Sequence, residues 1–423
     1  MARPNVTVIV DDQSYVIPAT ESGSVTRGGM VSFNGLILAL GSTAERKNGT
    51  MEVNSVGDWI QKLNSPDPME NTTYNVAGTK YGSDSPNFGG GTAARWPLGP
   101  TGNWKNEWWS AHNYLQYGGL LIIGGTGSDI NTTMSTSSTP LHNKQTDLDV
   151  VFAGVGDGSA GSTANQIAAA NSIAQDRVDV VAVFPDLSMG GEDGTTISTD
   201  ATIPTSVTQN EFSIVAYGTK HHLDIGRGTD LNTNTLVKTN VSADVAGCIA
   251  RNDRLGDPWT SPAGFEHGQI LDVIRLTKNP TDAEQDTLYD AKINPVVTFP
   301  GEGTVLFGDK TCKAATSTLS RINVSRLFIY LKKTIGQAAR SLLFELNDEE
   351  TRASFVNAVT PVLDRVRSRR GITDYRVVCD ESNNTAAVTD ANQFIADVFI
   401  KPTTSINYIH LTFTNKNSDA DLG

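Results

Sequence analysis

The segment Gly156–Gly161 has the residue types and spacing of a phosphate-binding turn. Its glycines give a GxGxxG pattern between a predicted strand and a predicted helix, and Asp176 and Asp179 follow roughly twenty positions later, as in dinucleotide-binding proteins. However, glycine accounts for 39 of the 423 residues, and similar clusters recur at 124–127 and 189–194. We interpret the segment as a turn that packs a strand closely against a helix. A nucleotide-binding α/β enzyme is the alternative.

Other common catalytic and metal-binding patterns are absent from the sequence. His221 and His222 precede Asp224, but adjacent residues on a strand point to opposite faces, and the six histidines show no HxH or HxxxH spacing. The sequence contains no GxSxG nucleophile elbow. We therefore predict no catalytic residues, no metal site and no cofactor.

One polar cluster, in the segment ARNDRLGDPW, could resemble a catalytic patch. It contains Arg251, Asp253, Asp257 and Trp259. Charged groups this close in sequence also form buried structural networks, and we favour that interpretation. The three cysteines are far apart and lack metal-ligand spacing, which predicts reduced thiols.

Length and charge narrow the possible classes of protein. A chain of 423 residues predicts two or three domains. The net charge of −13 argues against a protein dominated by nucleic-acid or anionic-membrane binding. Because the apolar runs are too short to span a bilayer and no apolar signal segment follows Met1, we expect synthesis in the cytosol.

The segment 321–370 has the opposite charge. It holds ten basic and five acidic residues, a net charge of +5. Since solvated helix faces are normally mixed in sign, we predict a binding surface here for an acidic protein, with nucleic acid as the alternative. The candidate residues are Arg326, Lys332, Lys333, Arg340, Arg365, Arg367, Arg369 and Arg370.

The predicted secondary structure of the N-terminal segment differs from that of the chain after it. Residues 5–17 predict one detached strand, and the spacer 21–29 follows it. This strand could pair with a neighbouring molecule or with an edge of its own domain. From Met30 onward strands and helices alternate, which predicts parallel, right-handed βαβ units.

The C-terminal part predicts a second, α+β module. A capping box at Thr281–Glu284 opens a helix, and a long amphipathic helix is expected over 319–343. Asn347 should cap the next helix, which Pro361 should kink or split. Strands are then predicted at 375–379, 394–400 and 406–414.

The segment AGCIARNDRLGDPWTSPAG resembles the signature of the contractile-tail sheath proteins of bacteriophages and related injection systems. Further similar blocks follow in family order at 293–311, 321–335 and 344–385, and at the terminal strands. The spacing GDPW replaces the more usual GVW. The signature residues are Ala246, Gly247, Arg251, Asp253, Gly256, Trp259, Pro262, Ala263 and Gly264.

This resemblance implies an α/β fold joined to an α+β fold. The middle domain of the family is likened to subtilisin without its catalytic residues, and the C-terminal domain faces the tail tube. The implied domains are an N-terminal arm at 1–24, an α/β domain at 25–276, a sheath domain at 277–402 and a C-terminal strand arm at 403–423.

The resemblance also implies a structural function rather than an enzymatic one. Such subunits stack as hexameric rings around the tail tube and contract to drive it into the host. The implied partners are further copies of the chain, the tube protein, and baseplate and terminator proteins, without nucleic acid or membrane. The implied location is the virion tail, after assembly in the host cytoplasm. The arm residues expected to exchange between neighbours are Val6, Val8, Val10, Tyr15, Ile409, Leu411 and Phe413.

Overall fold

A computed structural model describes eleven segments of the chain, and the account below is confined to them. They are residues 10–11, 14–15, 26–31, 50–59, 105–124, 141–144, 146–153, 160–186, 202–223, 236–315 and 317–407. The predicted roles of Val6, Val8, Gly156, Gly158, Asp224, Ile409, Leu411 and Phe413 therefore fall outside the described residues.

The described strands and helices are interspersed along the chain. The strands are β1 (Val10–Asp11), β2 (Ser14–Tyr15), β3 (Arg27–Val31), β4 (Thr50–Val53), β5 (Leu120–Gly124), β6 (Val150–Ala153), β7 (Val181–Pro185), β8 (Ser213–Tyr217), β9 (Thr219–Leu223), β10 (Leu236–Asn240), β11 (Arg275–Leu276), β12 (Ile293–Phe299), β13 (Gly303–Leu306), β14 (Ile372–Val378) and β15 (Asp397–Pro402). The helices are α1 (Lys105–Gln116), α2 (Ala160–Arg177), α3 (Ser242–Leu255), α4 (Gly264–His267), α5 (Asp282–Asp290), α6 (Ile322–Ser341), α7 (Glu349–Ser368) and α8 (Ala386–Asp390).

An eight-stranded sheet forms the centre of the larger domain. Its strand order is β13-β12-β8-β7-β6-β3-β5-β4, with six parallel strands and an antiparallel strand at each end. Helices α1 and α3 contribute to the core on one face, while α2 and α5 contribute to the core on the other. Because both faces are covered, β6, β7 and β8 are buried at every residue, which explains their continuous apolar sequences.

The domain boundary predicted at residue 277 is misplaced, because it would separate β12 and β13 from the other strands of this sheet. Strand β12 pairs in parallel with β8, and the connection between them includes α3, α4 and α5. The chain stays beside the sheet as far as Cys312, whose amide donates to the Ser213 carbonyl at 2.8 Å. The capping box that suggested a new module therefore opens the last crossover helix of the first one; both of its hydrogen bonds, between Thr281 and Glu284, are present.

The C-terminal domain packs α6 and α7 against a four-stranded sheet of order β1-β2-β15-β14. Of the two effects predicted for Pro361, a split is wrong, because α7 is continuous from Glu349 to Ser368. Proline removes one donor, but Pro361 and Asn357, whose carbonyl loses that donor, are both exposed, so water can replace the bond. Asp348 is the N-cap instead of Asn347, accepting from the Thr351 amide at 2.8 Å.

The N-terminal segment forms two short strands, so the prediction of one continuous strand is wrong. Val10 pairs with Tyr15 in an antiparallel hairpin, and Tyr15 pairs with Val398 of β15 in the same chain. The flexible spacer predicted to reach residue 29 must end earlier, since Gly28 and Gly29 belong to β3 between β5 and β6. A Cβ atom at Gly28 would lie 2.5 Å from the Tyr114 ring, so this strand requires glycine.

Candidate functional site

The signature segment places a buried ion pair where the two domains meet. Asp253 on α3 accepts from the Thr26 hydroxyl at 2.6 Å and pairs with Arg326 on α6. Both members of the ion pair are only 7% exposed. Burial raises the pKa of Asp253, although Arg326 and Thr26 act in the opposite direction. This Asp253–Arg326 pair attaches the first helix of the C-terminal domain to the sheet domain.

Two lysines of α6 extend the attachment. Lys333 bonds to Asp149 at 2.7 Å, and Lys332 donates to the Val178 carbonyl at 2.9 Å. Burial tends to raise the pKa of Asp149, but the charge and hydrogen bond of Lys333, with the Arg27 amide and the charge of Arg326, together outweigh it, so the pKa is lowered. Helix α6 is thus held by charged groups along its buried side.

These attachments lie at the amino ends of the parallel strands. Thr26, Asp149 and Val178 come just before β3, β6 and β7 respectively. Ligand sites in open α/β sheets form at the opposite edge, beyond the carboxyl ends of the strands. The polar cluster is therefore suited to joining domains rather than to binding a substrate.

Lys332 should make stability depend on pH. Burial lowers its pKa to about 8, whereas an unfolded lysine has a pKa of about 10.4. Between these values the unfolded chain binds more protons, so the free energy of unfolding rises with pH. From pH 7.5 to 10.5 the native protein should gain about 2–3 kcal/mol relative to Lys332→Met. Urea unfolding of the native protein and of Lys332→Met across this pH range measures the gain, and Lys401→Met, a change of an exposed lysine, is the control. Parallel pH profiles of the free energy of unfolding for the native protein and Lys332→Met would contradict the prediction.

Trp259 forms the apolar part of the same junction. Although it follows α3, its ring packs in the core of the C-terminal domain and lies edge-on to Tyr330, with ring centroids 5.3 Å apart. Its indole N–H donates to the Arg369 carbonyl at 3.2 Å, and the Arg369 side chain pairs with Asp257 at 2.8 Å. The loop after α3 is therefore inserted into the second domain.

Arg251 holds the segment after this loop through hydrogen bonds to backbone carbonyls. Its guanidinium donates to the carbonyls of His267 and Gln269, the latter at 3.0 Å, and lies 5.2 Å from the centre of the Tyr117 ring. Gly247 allows Tyr117 to approach α3, since a Cβ atom there would lie 2.3 Å from the ring. Arg251, Asp253, Asp257 and Trp259 thus make structural contacts with other residues rather than with one another.

The remaining signature residues shape the turns around α3 and α4. Ala246 is buried within α3, and the Gly256 amide ends that helix by donating to the Asn252 carbonyl at 2.8 Å. Pro262 is buried, and Ala263 packs against the core of the sheet domain. Gly264 begins α4 with a φ of +89°, a conformation that favours glycine.

The arrangement around α2 does not match a dinucleotide site. Asp176 bonds to His142 at 2.9 Å, and Asp179 bonds to Arg177 at 2.9 Å. Asp176 lies in the last turn of α2 and Asp179 just after it, whereas this 18-residue helix begins at Ala160, so roughly 27 Å separates both acids from its amino end. They therefore lie too far away to bind the ribose of a nucleotide held at the amino end of α2.

The described residues also offer no metal centre. Within them, no group of three His, Cys, Asp or Glu side chains is placed to hold an ion. His221 contacts Thr277, while His222 packs edge-on to Trp109. The three cysteines are buried thiols, and burial raises the pKa of both Cys248 and Cys312 to about 12. None of the described helices has the length and apolar character that crossing a bilayer requires.

The predicted basic surface is smaller than the sequence suggested. Arg326, Lys332 and Lys333 turn toward the sheet domain, so their assignment to an exposed face is wrong. The amphipathic pattern of α6 did not show that these arginine and lysine side chains would lie on the side of the helix that faces the sheet domain. Four arginines, Arg340, Arg365, Arg367 and Arg370, are exposed, as is Arg369, which pairs with Asp257.

Several residues of the junction had no sequence signal. Thr26 bonds to Asp253 at 2.6 Å, and Asp149 bonds to Lys333 at 2.7 Å. In each pair the partner lies more than 180 positions away in the sequence. The fully buried Lys220–Asp244 pair, at 2.8 Å, was also missed. Tyr117 donates to Asp244 at 3.0 Å, so the pair links α1, α3 and β9.

Two domain families match adjacent parts of the chain. The phage tail sheath protein central domain matches residues 152–312, and the phage tail sheath C-terminal domain matches residues 314–416. Together they cover more than half of the sequence, and they meet where the chain leaves the eight-stranded sheet. The chain belongs to the phage tail sheath family. The junction described above therefore joins the two characteristic domains of a sheath protein.

Curated relatives agree with this assignment. The sheath chain is 49% identical over 182 residues to the tail sheath protein of Vibrio phage KVP40, a match covering 43% of this chain and 27% of that protein. It is 42% identical over 221 residues to the tail sheath protein of Enterobacteria phage T4, covering 51% and 33% respectively. The matches thus span a third or less of those relatives.

Solved structures show the same fold at low sequence identity. The sheath of the PVC extracellular contractile injection system, in its contracted state, superposes with a TM-score of 0.64 at 17% identity, covering 99% of each chain. The contracted helical sheath of the anti-feeding prophage gives 0.65 at 16% identity, covering 98% of this sheath chain and 100% of that one. The mixed α/β architecture is therefore that of contractile sheath proteins.

Proposed function

We propose that the protein is a structural subunit of a contractile tail sheath. Its copies stack as hexameric rings around a tail tube, and the sleeve shortens to drive the tube into the host. Membership of the sheath family supports this role. The observation that carries it is the sheet β1-β2-β15-β14, in which a hairpin from the start of the chain adds to strands from the C-terminal domain.

Such a sheet can be completed by a neighbouring copy. The Tyr15–Val398 pairing is a backbone contact, so the equivalent hairpin of another subunit fits the same edge of β15. Each backbone hydrogen bond contributes about 1 kcal/mol net, repeated at every subunit. On the other side of the sheet, among the described residues, β14 pairs only with β15 and leaves an edge for a C-terminal arm. Linked in this way, subunits can reorient during contraction without separating.

The sheet domain serves as a structural outer domain, and we liken its layout to subtilisin without inferring hydrolysis. Its charged groups are used to hold α6 at the amino ends of the strands. The proposed location is the virion tail, after assembly in the host cytoplasm. Beyond its own copies, the proposed partners are the tube, baseplate and terminator proteins.

The exposed arginines are the proposed contact with an acidic tube. Arg367 and Arg370 lie at the exposed end of α7 and beyond it. Changing both to Glu should lower the yield of sheath assembled on tubes by about tenfold at low salt, because attraction becomes repulsion. Sedimentation of tube-bound protein measures the yield. Arg275→Glu, an exposed change in the sheet domain, should leave it unaltered, and equal losses for both variants would contradict the tube contact.

Negative-stain electron microscopy of the purified chain tests the proposed function directly. Helical tubes or stacked rings are expected from the full chain. A variant lacking residues 1–24 should give separate subunits, since it has no hairpin to pair with β15 of a neighbouring subunit. Sleeves that form and contract normally without those residues would overturn the strand-exchange mechanism. If the full chain stays as separate subunits, that result would count against the sheath function.

A further inference from the structure

The segment after β15 returns from the C-terminal domain to the sheet domain. In residues 403–407, here called the strap, the Thr403 amide donates to the Gly371 carbonyl at 3.1 Å. Asn323 of α6 donates to the Thr403 carbonyl at 3.3 Å. The beginning of the strap is therefore fixed to the C-terminal domain.

The end of the strap is bound by a polar node on the other side of the junction. This node consists of Asp309, Tyr289 and Arg321, and Asp309 is only 3% exposed. Arg321 donates to Asp309 at 2.9 Å and to the Tyr289 hydroxyl at 2.6 Å. The Asp309 carbonyl also accepts from the Ile322 amide at 2.8 Å, so the node lies beside the first residue of α6.

Two side chains of the strap bind this node. The Asn407 amide donates to Asp309 at 3.0 Å and to the Tyr289 hydroxyl at 2.7 Å, while the Ser405 hydroxyl donates to the second oxygen of Asp309. Ile406 between them is 82% exposed. Polar side-chain bonds rather than apolar packing therefore hold the strap.

Such a connection can open without unfolding either domain. Ordering a short segment costs backbone entropy comparable to the net gain from a few hydrogen bonds. The strap also runs alongside the chain that links the domains, where Lys310 and Arg321 form a β-bridge. Two parallel connections restrict rotation at the junction more than one does.

We propose that the node formed by Asp309, Tyr289 and Arg321 is a releasable binding site for the strap. While bound, it fixes the angle between the two domains and the point from which the C-terminal arm leaves the subunit. Release frees both for the rearrangement of the sleeve, and this functional part rests on the proposed sheath function.

Proteolysis of the unassembled full chain tests the site. The double variant Ser405→Ala/Asn407→Ala should be cut by proteinase K within 403–407 about tenfold faster than the native chain, because cleavage follows the population of the open segment. Intact-mass spectrometry locates the cut. The matched control Thr404→Ala, an exposed change in the same strap, should be cut at the native rate.

A second variant keeps the test decisive if the double variant folds poorly. Tyr289→Phe removes the hydroxyl shared by Arg321 and Asn407 and should speed strap cleavage about threefold, with Tm changed by less than about 2 °C. Native cleavage rates in both variants would overturn the inference. Because the assay uses unassembled protein, a failure to form sleeves would reject the proposed function and leave the binding site to be judged by cleavage alone.

Discussion

Replacing Arg326 by methionine should lower the free energy of unfolding by about 3–5 kcal/mol, because it leaves the buried carboxylate of Asp253 without its cation. The Thr26 hydroxyl would remain as a hydrogen-bond donor to that carboxylate. Burial already raises the pKa of Asp253, and loss of the guanidinium would raise it further. Urea denaturation at neutral pH measures the loss.

Two further variants separate this effect from a general weakening of α6. Arg340→Met changes an exposed arginine of the same helix and should alter stability by less than about 0.5 kcal/mol. The double variant Asp253→Leu/Arg326→Met should recover most of the loss, since removing both charges avoids an unpaired one. A loss below about 1 kcal/mol in the single variant would show that Arg326 does not stabilise the junction as argued.

Trp259→Ala should have an effect of similar size, about 3–5 kcal/mol, because it leaves a large cavity between the domains. The ring is 6% exposed and belongs to the same core cluster as Leu327, Val366 and Ile372. The substitution also removes the donor to the Arg369 carbonyl. We expect the C-terminal domain to unfold at lower urea than the sheet domain, as two transitions in circular dichroism.

Trp259→Phe supplies the matched control, since it keeps an aromatic ring but lacks the N–H group. It should lose about 1–2 kcal/mol and retain a single transition. Phe265→Ala removes a ring that is 43% exposed and should cost less than the buried tryptophan. Equal costs for Trp259→Ala and Phe265→Ala would contradict a junction held by Trp259.

Much of the local structure could be predicted because its signals are local. The continuous apolar runs gave β6, β7 and β8, and the hydrogen bonds between Thr281 and Glu284 confirm the capping box that opens α5. The helical turn after β4 begins in the same local way, since the Asp58 amide donates to the Ser55 hydroxyl at 3.1 Å. In each case neighbouring residues decide the conformation.

Helix α3 could not be predicted in the same way. It is buried on nearly all sides, so its sequence lacks the polar face that marks an amphipathic helix. Glycine also lowers helix propensity, yet Gly247 lies within α3, where it allows the close approach of Tyr117. The domain boundary failed for a related reason, because pairing of β12 with β8 depends on residues far apart in sequence.

The signature could be found without knowing what its residues do. Resemblance picked out Asp253 and Trp259, but only their contacts with Arg326 and the Arg369 carbonyl show that they join two domains. Charge counting likewise found a basic segment, yet it could not separate Lys333, bound to Asp149, from exposed Arg367. Long-range pairing therefore set the limit on predicting the site.

The pairing of Tyr15 with Val398 orders events during translation. The hairpin leaves the ribosome early, but the strand that receives it does not exist until Val398 has been made. Until then the hairpin has no partner strand, so the four-stranded sheet can form only as the C-terminal domain folds.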